Sequence, residues 1–188
     1  MLIRVPRMFT EAEAKRVLGT LPDDFEKTSN EFWAYVNEKL ANYVGRVQRV
    51  YRDGICLAGK QTLDQLEKVD RQNFEIAKKL VDGGAAFEST EEPLLVSESE
   101  SWLETMMHQE SNSVVFEMFE QTMKDRDSFV SKRINDTLVG DELGVLFMDP
   151  SRRVSLDEKI KIIIMCRFDP LDYLKSWQLQ LKQKTNPA

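Results

Sequence analysis

The sequence predicts an α/β protein: one layered domain over residues 1–188, with a sheet of about five largely parallel or mixed strands flanked by helices. Two apolar runs, residues 144–148 and residues 160–168, lead to this prediction. An Asp-Pro pair follows each run, and runs this apolar are typical of strands covered on both faces. Segments with helical periodicity alternate with β-prone segments along the rest of the chain, which is the order expected of α/β folds.

The chain opens with a predicted strand and two predicted helices. Residues 2–5 are β-prone and precede a proline, which is typical of a strand at the edge of a sheet. Capping boxes at Thr10 and Thr28 predict the starts of two helices. We expect these helices to end near Gly19 and Gly45.

The next segment is predicted to be strand, helix and strand. The strand covers residues 47–51 and ends at an Asp-Gly turn. One long amphipathic helix should then cover residues 62–83, with Val69 on its buried face. Gly83 is expected to take the left-handed conformation that commonly follows a helix. Residues 85–88 are the third predicted strand.

Helices dominate the remainder, apart from the two apolar strands. Pro93 suits the first position of a helix, and residues 97–138 are predicted to be helical with a break around residues 109–113. Asp169 is expected to cap a final helix, and residues 182–188 are expected to fray.

Composition narrows the classes of function. The formal net charge is −6 and the pI is about 5.0, so bulk attraction to nucleic acid or to an anionic membrane is not expected. Cys56 and Cys166 have no nearby cysteine partner and are predicted to be reduced. No signal peptide or membrane span is recognisable, and we therefore expect a cytoplasmic protein.

Complete catalytic and cofactor motifs are absent from the sequence. No GxSxG, GxGxxG or P-loop pattern occurs, so no catalytic residue, cofactor or metal site is predicted. His108 is the only histidine, and it follows Glu100 and Glu104 at helical spacing. Such a stripe would offer metal ligands, but an exposed helix face gives the same pattern.

The arginines point to a binding site. Eight of the twelve lie in or beside predicted strands: Arg4, Arg7, Arg46, Arg49, Arg52, Arg152, Arg153 and Arg167. Guanidinium groups suit phosphate or carboxylate ligands. Arg152 and Arg153 are the first candidates, because they follow the carboxyl end of an apolar strand, and Arg49 and Arg52 are the next. The alternative is that these side chains protect sheet edges or pair with the many carboxylates.

Asp149 stands at the same strand end as the first candidates. It would serve as a general base or a Mg²⁺ ligand, or simply as a turn residue before proline. Asp53, Glu91 and Glu92 would complete an acidic site only if the sheet brought them close to Asp149.

Four stretches of the chain resemble a known group of proteins. They are Arg-Val-Tyr-Arg-Asp-Gly at residues 49–54, then residues 83–95, 126–138 and 144–148. Together they resemble bacterial and archaeal proteins that are similar to the archaeal/eukaryotic-type peptide chain release factor. The resemblance implies an α/β domain that works near the ribosome or RNA. It does not imply peptidyl-tRNA hydrolysis, because the chain has no Gly-Gly-Gln tripeptide and residues 149–153 replace the glycine and histidine usual in that group.

These observations leave three expectations open. The first is a non-catalytic module that binds RNA, a ribonucleoprotein or another protein. The second is a protein or enzyme that binds a phosphorylated ligand at residues 149–153. The third is a homodimer through the helix at residues 113–138, whose apolar side chains would exceed what one small core covers: Met118, Phe119, Met123 and Phe129.

Overall fold

A computed structural model describes residues 1–108 and 113–185 of the protein. In this part of the chain one sheet of five strands is flanked by helices, which confirms the α/β prediction. The strands are β1 (Leu2–Pro6), β2 (Arg49–Arg52), β3 (Ala86–Phe87), β4 (Gly144–Met148) and β5 (Ile162–Ile164). The helices are α1 (Glu11–Leu18), α2 (Phe25–Ala41), α3 (Lys60–Val69), α4 (Arg71–Asp82), α5 (Pro93–His108), α6 (Ser113–Thr137) and α7 (Pro170–Thr185). No helix in the described ranges is long and apolar enough to cross a membrane.

All strand pairs are parallel, in the order β3-β2-β4-β1-β5. The prediction that residues 2–5 form an edge strand is wrong, because β1 lies between β4 and β5. Pro6 is tolerated there since it is the last residue of β1, and the backbone N–H of Arg7 resumes the bonding by donating to the carbonyl of Met148 at 2.8 Å.

Both faces of the sheet are covered, and β4 shows this most clearly. All five of its residues are buried. Val145 and Phe147 pack into the larger core, with α2 and α4, whereas Leu146 and Met148 pack into the smaller core, with α6. Successive side chains of a strand point to opposite faces, so a continuous apolar run is what a doubly covered strand needs.

The second apolar run behaves differently from the prediction. Only residues Ile162–Ile164 form β5, at the edge of the sheet, and their exposed fractions are 45%, 38% and 67%. The expectation of a strand covered on both faces is therefore wrong for residues 160–168. Apolarity alone cannot separate a buried strand from an edge strand, because that difference depends on which elements pack nearby.

Two helix starts also differ from the prediction. α2 begins at Phe25 rather than at Thr28, directly after the turn that Pro22 opens. The helix expected over residues 62–83 is two helices, α3 and α4, because the side chain of Asp70 accepts the backbone N–H of Asn73 at 3.1 Å and starts a new helix. Val69 consequently lies at the end of α3 with 53% of its surface exposed, not on a buried face.

Local capping signals elsewhere are confirmed. The side chains of Thr10 and Glu13 form the expected capping box at the start of α1, and Pro93 and Pro170 are the first residues of α5 and α7. The left-handed glycine after α4 is Gly84, with φ of 105°, rather than Gly83. The predicted break at residues 109–113 falls largely on residues 109–112, which lie outside the described ranges.

Candidate functional site

The carboxyl ends of β1, β4 and β2 lie side by side at one edge of the sheet, because the three strands are parallel neighbours. After β1 and β2 the chain continues on the face where Ala14 of α1 and Leu66 of α3 are buried. After β4 it turns to the opposite face, where Val154 and Leu156 pack. Open α/β sheets bind ligands at such a change of direction, outside the strand ends. This edge is therefore the natural position for a functional site.

The residue that follows each of these strands is charged, and the three residues meet. Nε of Arg7, after β1, donates to Oδ1 of Asp53, after β2, at 2.9 Å. The backbone N–H of Asp149, after β4, donates to Oδ2 of Asp53 at 2.9 Å. Burial alone would raise the pKa of Asp53, but neighbouring positive charges, above all that of Arg7, hold it well below its usual range.

Arg7 also ties the sheet to α1. It forms a two-point ion pair with Glu13, in which Nη1 lies 2.9 Å from Oε2 and Nη2 lies 2.8 Å from Oε1. The same carboxylate accepts the backbone N–H of Thr10 at 2.8 Å, so it caps the helix as well. Burial would lower the pKa of Arg7, but Asp53 and Glu13 raise it well above its usual value.

A second cluster adjoins the first and centres on Glu91, whose side chain is fully buried. Oε1 accepts from Nη1 of Arg152 and, at 2.9 Å, from Nη2 of Arg126, while Oε2 accepts from Nε of Arg126 at 3.0 Å. Nε of Arg152 donates to Oδ1 of Asp127 at 2.7 Å. Burial would lower the pKa of Arg152, but Glu91 and Asp53 together raise it above its ordinary value.

Arg52 has the weakest ion pairs of the buried arginines at this site. Its Nη1 donates to the carbonyl of Asp53, and its Nη2 lies 3.4 Å from Oδ2 of Asp70, which is long for a charge-assisted bond. Burial raises the pKa of Asp70, and the attraction of Arg52 does not offset it. The carboxylates of Asp53 and Asp70 therefore face the same guanidinium with opposite pKa shifts.

A count of donors separates these arginines. All three nitrogens of Arg7 and all three of Arg126 donate to protein acceptors. By contrast, Nε of Arg52 and Nη2 of Arg152 are buried and have no acceptor among the described residues. Oε1 of Gln65, on α3, is a buried acceptor that receives no hydrogen bond from the described residues. Unsatisfied buried polar atoms are uncommon in native structures, and each needs an explanation, such as a bound ion or a functional role.

A cavity of about 600 Å³ opens over these groups. Its charged and polar wall is the end of the sheet, and its apolar wall is formed mainly by α5 and α6. Arg16 and Lys68 stand exposed at this cavity without an ion pair to any described residue. The cationic lining residues are Arg7, Arg16, Arg52, Lys68, Arg126 and Arg152. The acidic lining residues are Glu13, Asp53, Glu100 and Asp149.

The structure distributes the five candidate residues over three places. Arg52, Arg152 and Asp149 line the cavity. Arg153 is exposed and lines a separate groove beside α6, although it is next to Arg152 in sequence. Arg49 is the first residue of β2 and thus lies at the opposite edge of the sheet from the cavity. Arg49, a candidate in the sequence analysis, is therefore not part of the site at the carboxyl ends of the strands.

Arg49 instead forms ion pairs with two glutamates near the amino-terminal end of β2. It pairs with Glu88 at 2.5 Å and with Glu142 at 3.1 Å. This agrees with the alternative that some strand arginines serve as partners for carboxylates. Asp149 likewise shows features of a turn residue, because its Oδ1 accepts the backbone N–H of Ser151 at 2.8 Å.

The acidic groups considered in the sequence analysis have different positions. Asp53 does approach Asp149, but Glu91 is occupied by Arg126 and Arg152. Among the described residues no group of three or more histidine, cysteine or acidic side chains is placed to hold a metal ion. The side chain of His108 lies outside the described part, so the stripe that it would form with Glu100 is not described.

The sequence analysis missed the contribution of the helices to this site. Arg126 and Lys68 gave no local signal, since charged residues on amphipathic helices are common. Arg7 was one of the eight arginines named beside predicted strands, and it lies two residues after the first of these strands, as Asp53 does after the second. Like Arg152, Arg7 lies just beyond the carboxyl end of an apolar strand.

Comparison with known proteins adds no assignment to this geometry. No protein-family model, curated protein or solved structure matches the chain. The resemblance to release factors stays a prediction.

Proposed function

We propose that this protein binds a small phosphorylated ligand in the cavity at the carboxyl edge of the sheet. The observation that carries the proposal is the pair of buried N–H groups, Nε of Arg52 and Nη2 of Arg152, that find no protein acceptor. A buried donor without a partner costs about 1–3 kcal/mol. Phosphate oxygens are strong acceptors that match guanidinium geometry, so a phosphorylated ligand would remove this cost.

The neighbouring acids support this proposal because they hold the arginines in place. Asp127 and Glu91 orient Arg152, and the carbonyl of Asp53 orients Arg52. Side chains that are ordered before binding lose little conformational entropy when a ligand arrives. The buried guanidinium groups are therefore already in position before an anion binds.

The charge balance of the cavity points the same way. Six cationic and four acidic side chains line it, so the lining carries a formal excess of two positive charges although the whole chain carries −6. Arg16 and Lys68 contribute to that excess from exposed positions. Glu91, Asp127 and Asp70 lie behind the lining and offset the charges of Arg126, Arg152 and Arg52, so the attraction for a small anion comes from Arg16 and Lys68.

Binding of RNA is a weaker candidate on this geometry. Single-stranded nucleic acids are held by exposed basic grooves that follow the backbone and by aromatic platforms. Here Arg7, Arg52 and Arg152 are buried in ion pairs. The expectation of an RNA or ribonucleoprotein partner, and that of a homodimer through residues 113–138, remain predictions.

Calorimetric titration with inorganic phosphate, pyrophosphate and ribose 5-phosphate tests the proposal. We expect the wild-type protein to bind at least one of them. Binding should raise the unfolding temperature, because a hundredfold excess of ligand over Kd adds about 2.7 kcal/mol to the free energy of unfolding. Arg152→Lys should weaken this binding roughly tenfold or more, since it keeps the charge but removes the fork. Arg153→Lys is the matched control, and it should leave the affinity unchanged.

Several results would overturn the proposal. One is the absence of heat and of any thermal shift with all three compounds in the wild-type protein. Equal losses for Arg152→Lys and Arg153→Lys would be another. If Arg152→Lys does not fold, Arg52→Lys takes its place with the same expectation. Binding of a short single-stranded RNA that Arg153→Lys weakens, without binding of the small phosphates, would replace the proposal with the RNA hypothesis.

A further inference from the structure

The cavity has a second wall of a different chemistry from the charged sheet end. Val96 and Leu103 of α5, with Phe119 and Met123 of α6, line it from the helical side. All four are half-buried, so each keeps a surface that the protein core does not cover. A ligand that consisted of phosphate alone would leave this apolar wall in contact with water.

The side-chain oxygen of Gln65 further limits the kinds of ligand that fit the cavity. Gln65 lines the same cavity, and its Oε1 is buried and receives no hydrogen bond from the described residues. A phosphate cannot satisfy it at neutral pH, because phosphate oxygens are themselves mainly acceptors. An alkyl chain against the apolar wall cannot satisfy it either. The missing partner is a hydrogen-bond donor, such as an N–H group or a hydroxyl group.

We infer that the ligand is a nucleoside monophosphate, whose phosphate contacts Arg52 and Arg152, whose base lies against Phe119 and Met123, and whose base edge donates to Gln65. This inference rests on the proposed function and deepens it. A nucleobase is a flat apolar surface with N–H donors at its edge. It would therefore cover the apolar wall and also donate to Gln65. The volume of about 600 Å³ lies within the range of small-molecule sites.

The absence of a glycine-rich loop is compatible with this inference. The sequence contains neither GxGxxG nor the P-loop pattern, so backbone N–H groups of such a loop do not hold the phosphate. The guanidinium groups of Arg52 and Arg152 take over that task. A single phosphate needs fewer donors than the chain of phosphates that those loops surround.

Titration of four nucleoside monophosphates (AMP, GMP, CMP and UMP), ribose 5-phosphate and hexyl phosphate tests the inference. At least one nucleotide should bind roughly tenfold or more tightly than ribose 5-phosphate, because a base that stacks on an aromatic ring adds affinity. Phe119→Ala should reduce nucleotide binding to the level of ribose 5-phosphate and leave ribose 5-phosphate itself unchanged. Gln65→Leu should weaken the nucleotide and spare ribose 5-phosphate.

Phe116→Ala is the matched control, because Phe116 is on the same helix, is 51% exposed and does not line the cavity. It should change neither affinity. If Phe119→Ala fails to fold, Phe119→Leu keeps an apolar side chain without the flat ring and should show the same loss of nucleotide preference.

The outcomes separate this inference from the proposed function. Equal binding of nucleotides and ribose 5-phosphate by the wild-type protein would overturn the inference and leave the phosphate site standing. Hexyl phosphate that binds as tightly as the best nucleotide would also overturn it, in favour of an alkyl phosphate. Failure of every phosphorylated compound to bind would overturn both.

Discussion

Nε of Arg7 lies 2.9 Å from Oδ1 of Asp53, although the strands that precede these two residues are not neighbours in the sheet. Strand β4 lies between them, and its end is bonded to the same carboxylate, because Oδ2 of Asp53 accepts the backbone N–H of Asp149. One buried carboxylate thus joins the ends of three strands. Its loss should affect both the stability of the sheet edge and the shape of the cavity.

We expect Asp53→Asn to lower the free energy of unfolding at pH 7 by about 3–5 kcal/mol, as breaking a buried ion pair commonly does. The folded-state pKa of Asp53 is depressed, so its stabilising contribution is complete above the unfolded pKa of about 3.9 and is lost as the pH falls through the folded-state value. The difference between wild type and variant should therefore shrink below about pH 4. Urea unfolding at a series of pH values measures this.

Asp23→Asn is a suitable control for that experiment, because Asp23 is exposed. Its effect should stay within about 0.5 kcal/mol at every pH. A penalty for Asp53→Asn that is small at pH 7, or that grows as the pH falls, would contradict the role assigned to Asp53.

Asp70→Asn should show the opposite pH dependence. Burial raises the folded-state pKa of Asp70, so the stability linked to its protonation is present below the unfolded pKa and is lost as the pH rises through the folded-state value. Asparagine avoids the buried charge and still caps α4. Relative to wild type, the variant should gain stability as the pH rises from about 3 to 7. Parallel urea titrations would show a constant or declining difference if this reasoning fails.

Arg152→Ala and Arg153→Ala should differ strongly despite their adjacent positions. Arg152 is 4% exposed and pairs with Glu91 and Asp127, so its removal should cost about 3–5 kcal/mol. Arg153 is exposed, and its backbone N–H, which Asp127 accepts, survives the substitution. Its removal should change the unfolding free energy by at most about 0.5 kcal/mol. Thermal unfolding of both variants decides the point, and equal destabilisation would refute it.

Gly83→Ala should destabilise the protein through a collision rather than through backbone strain. A Cβ at this position would lie 2.8 Å from Cγ1 of Val44 and 2.9 Å from the backbone nitrogen of Gly45. The backbone atom cannot move aside as a side chain would, and overpacking of this kind costs about 1–3 kcal/mol.

The neighbouring variant Asp82→Ala is the control for this substitution. It removes only an exposed pair with Lys78 and should cost less than about 0.5 kcal/mol. Chemical denaturation compares the two variants directly. A neutral or stabilising effect of Gly83→Ala would show that the turn between α4 and β3 is looser than the distances imply.

Short sequence patterns correctly predicted the helices and strands that depend on residues close together in the chain. The capping box of α1 depends on Thr10 and Glu13, which are three residues apart, and it was found where expected. The bounds of β4 were also correct, because a strand buried on both faces needs an uninterrupted apolar run. The predicted helix over residues 62–83 was wrong, because the side chain of Asp70 offered the backbone an alternative that periodicity does not reveal.

The sequence predicted only some of the residues of the candidate site. Three of the five candidate residues line the cavity, whereas Arg49 lies at the other edge and Arg153 lines a separate groove. Whether a strand arginine reaches the carboxyl edge depends on its place along the strand. For two adjacent arginines in a loop, the direction of each side chain depends on partners far away in sequence, such as Glu91 for Arg152.

The sequence by itself determined the α/β class, the start of α1 and the placement of β4, because apolar periodicity and capping act over a few residues. Only the tertiary structure decided that β1 is an interior strand and that β5 is an exposed edge. It alone brought Arg7, Asp53 and Arg152 together with the apolar side chains of α5 and α6. The physical reason is that strand order and buried ion pairs depend on contacts between residues far apart in the chain, which no local pattern encodes.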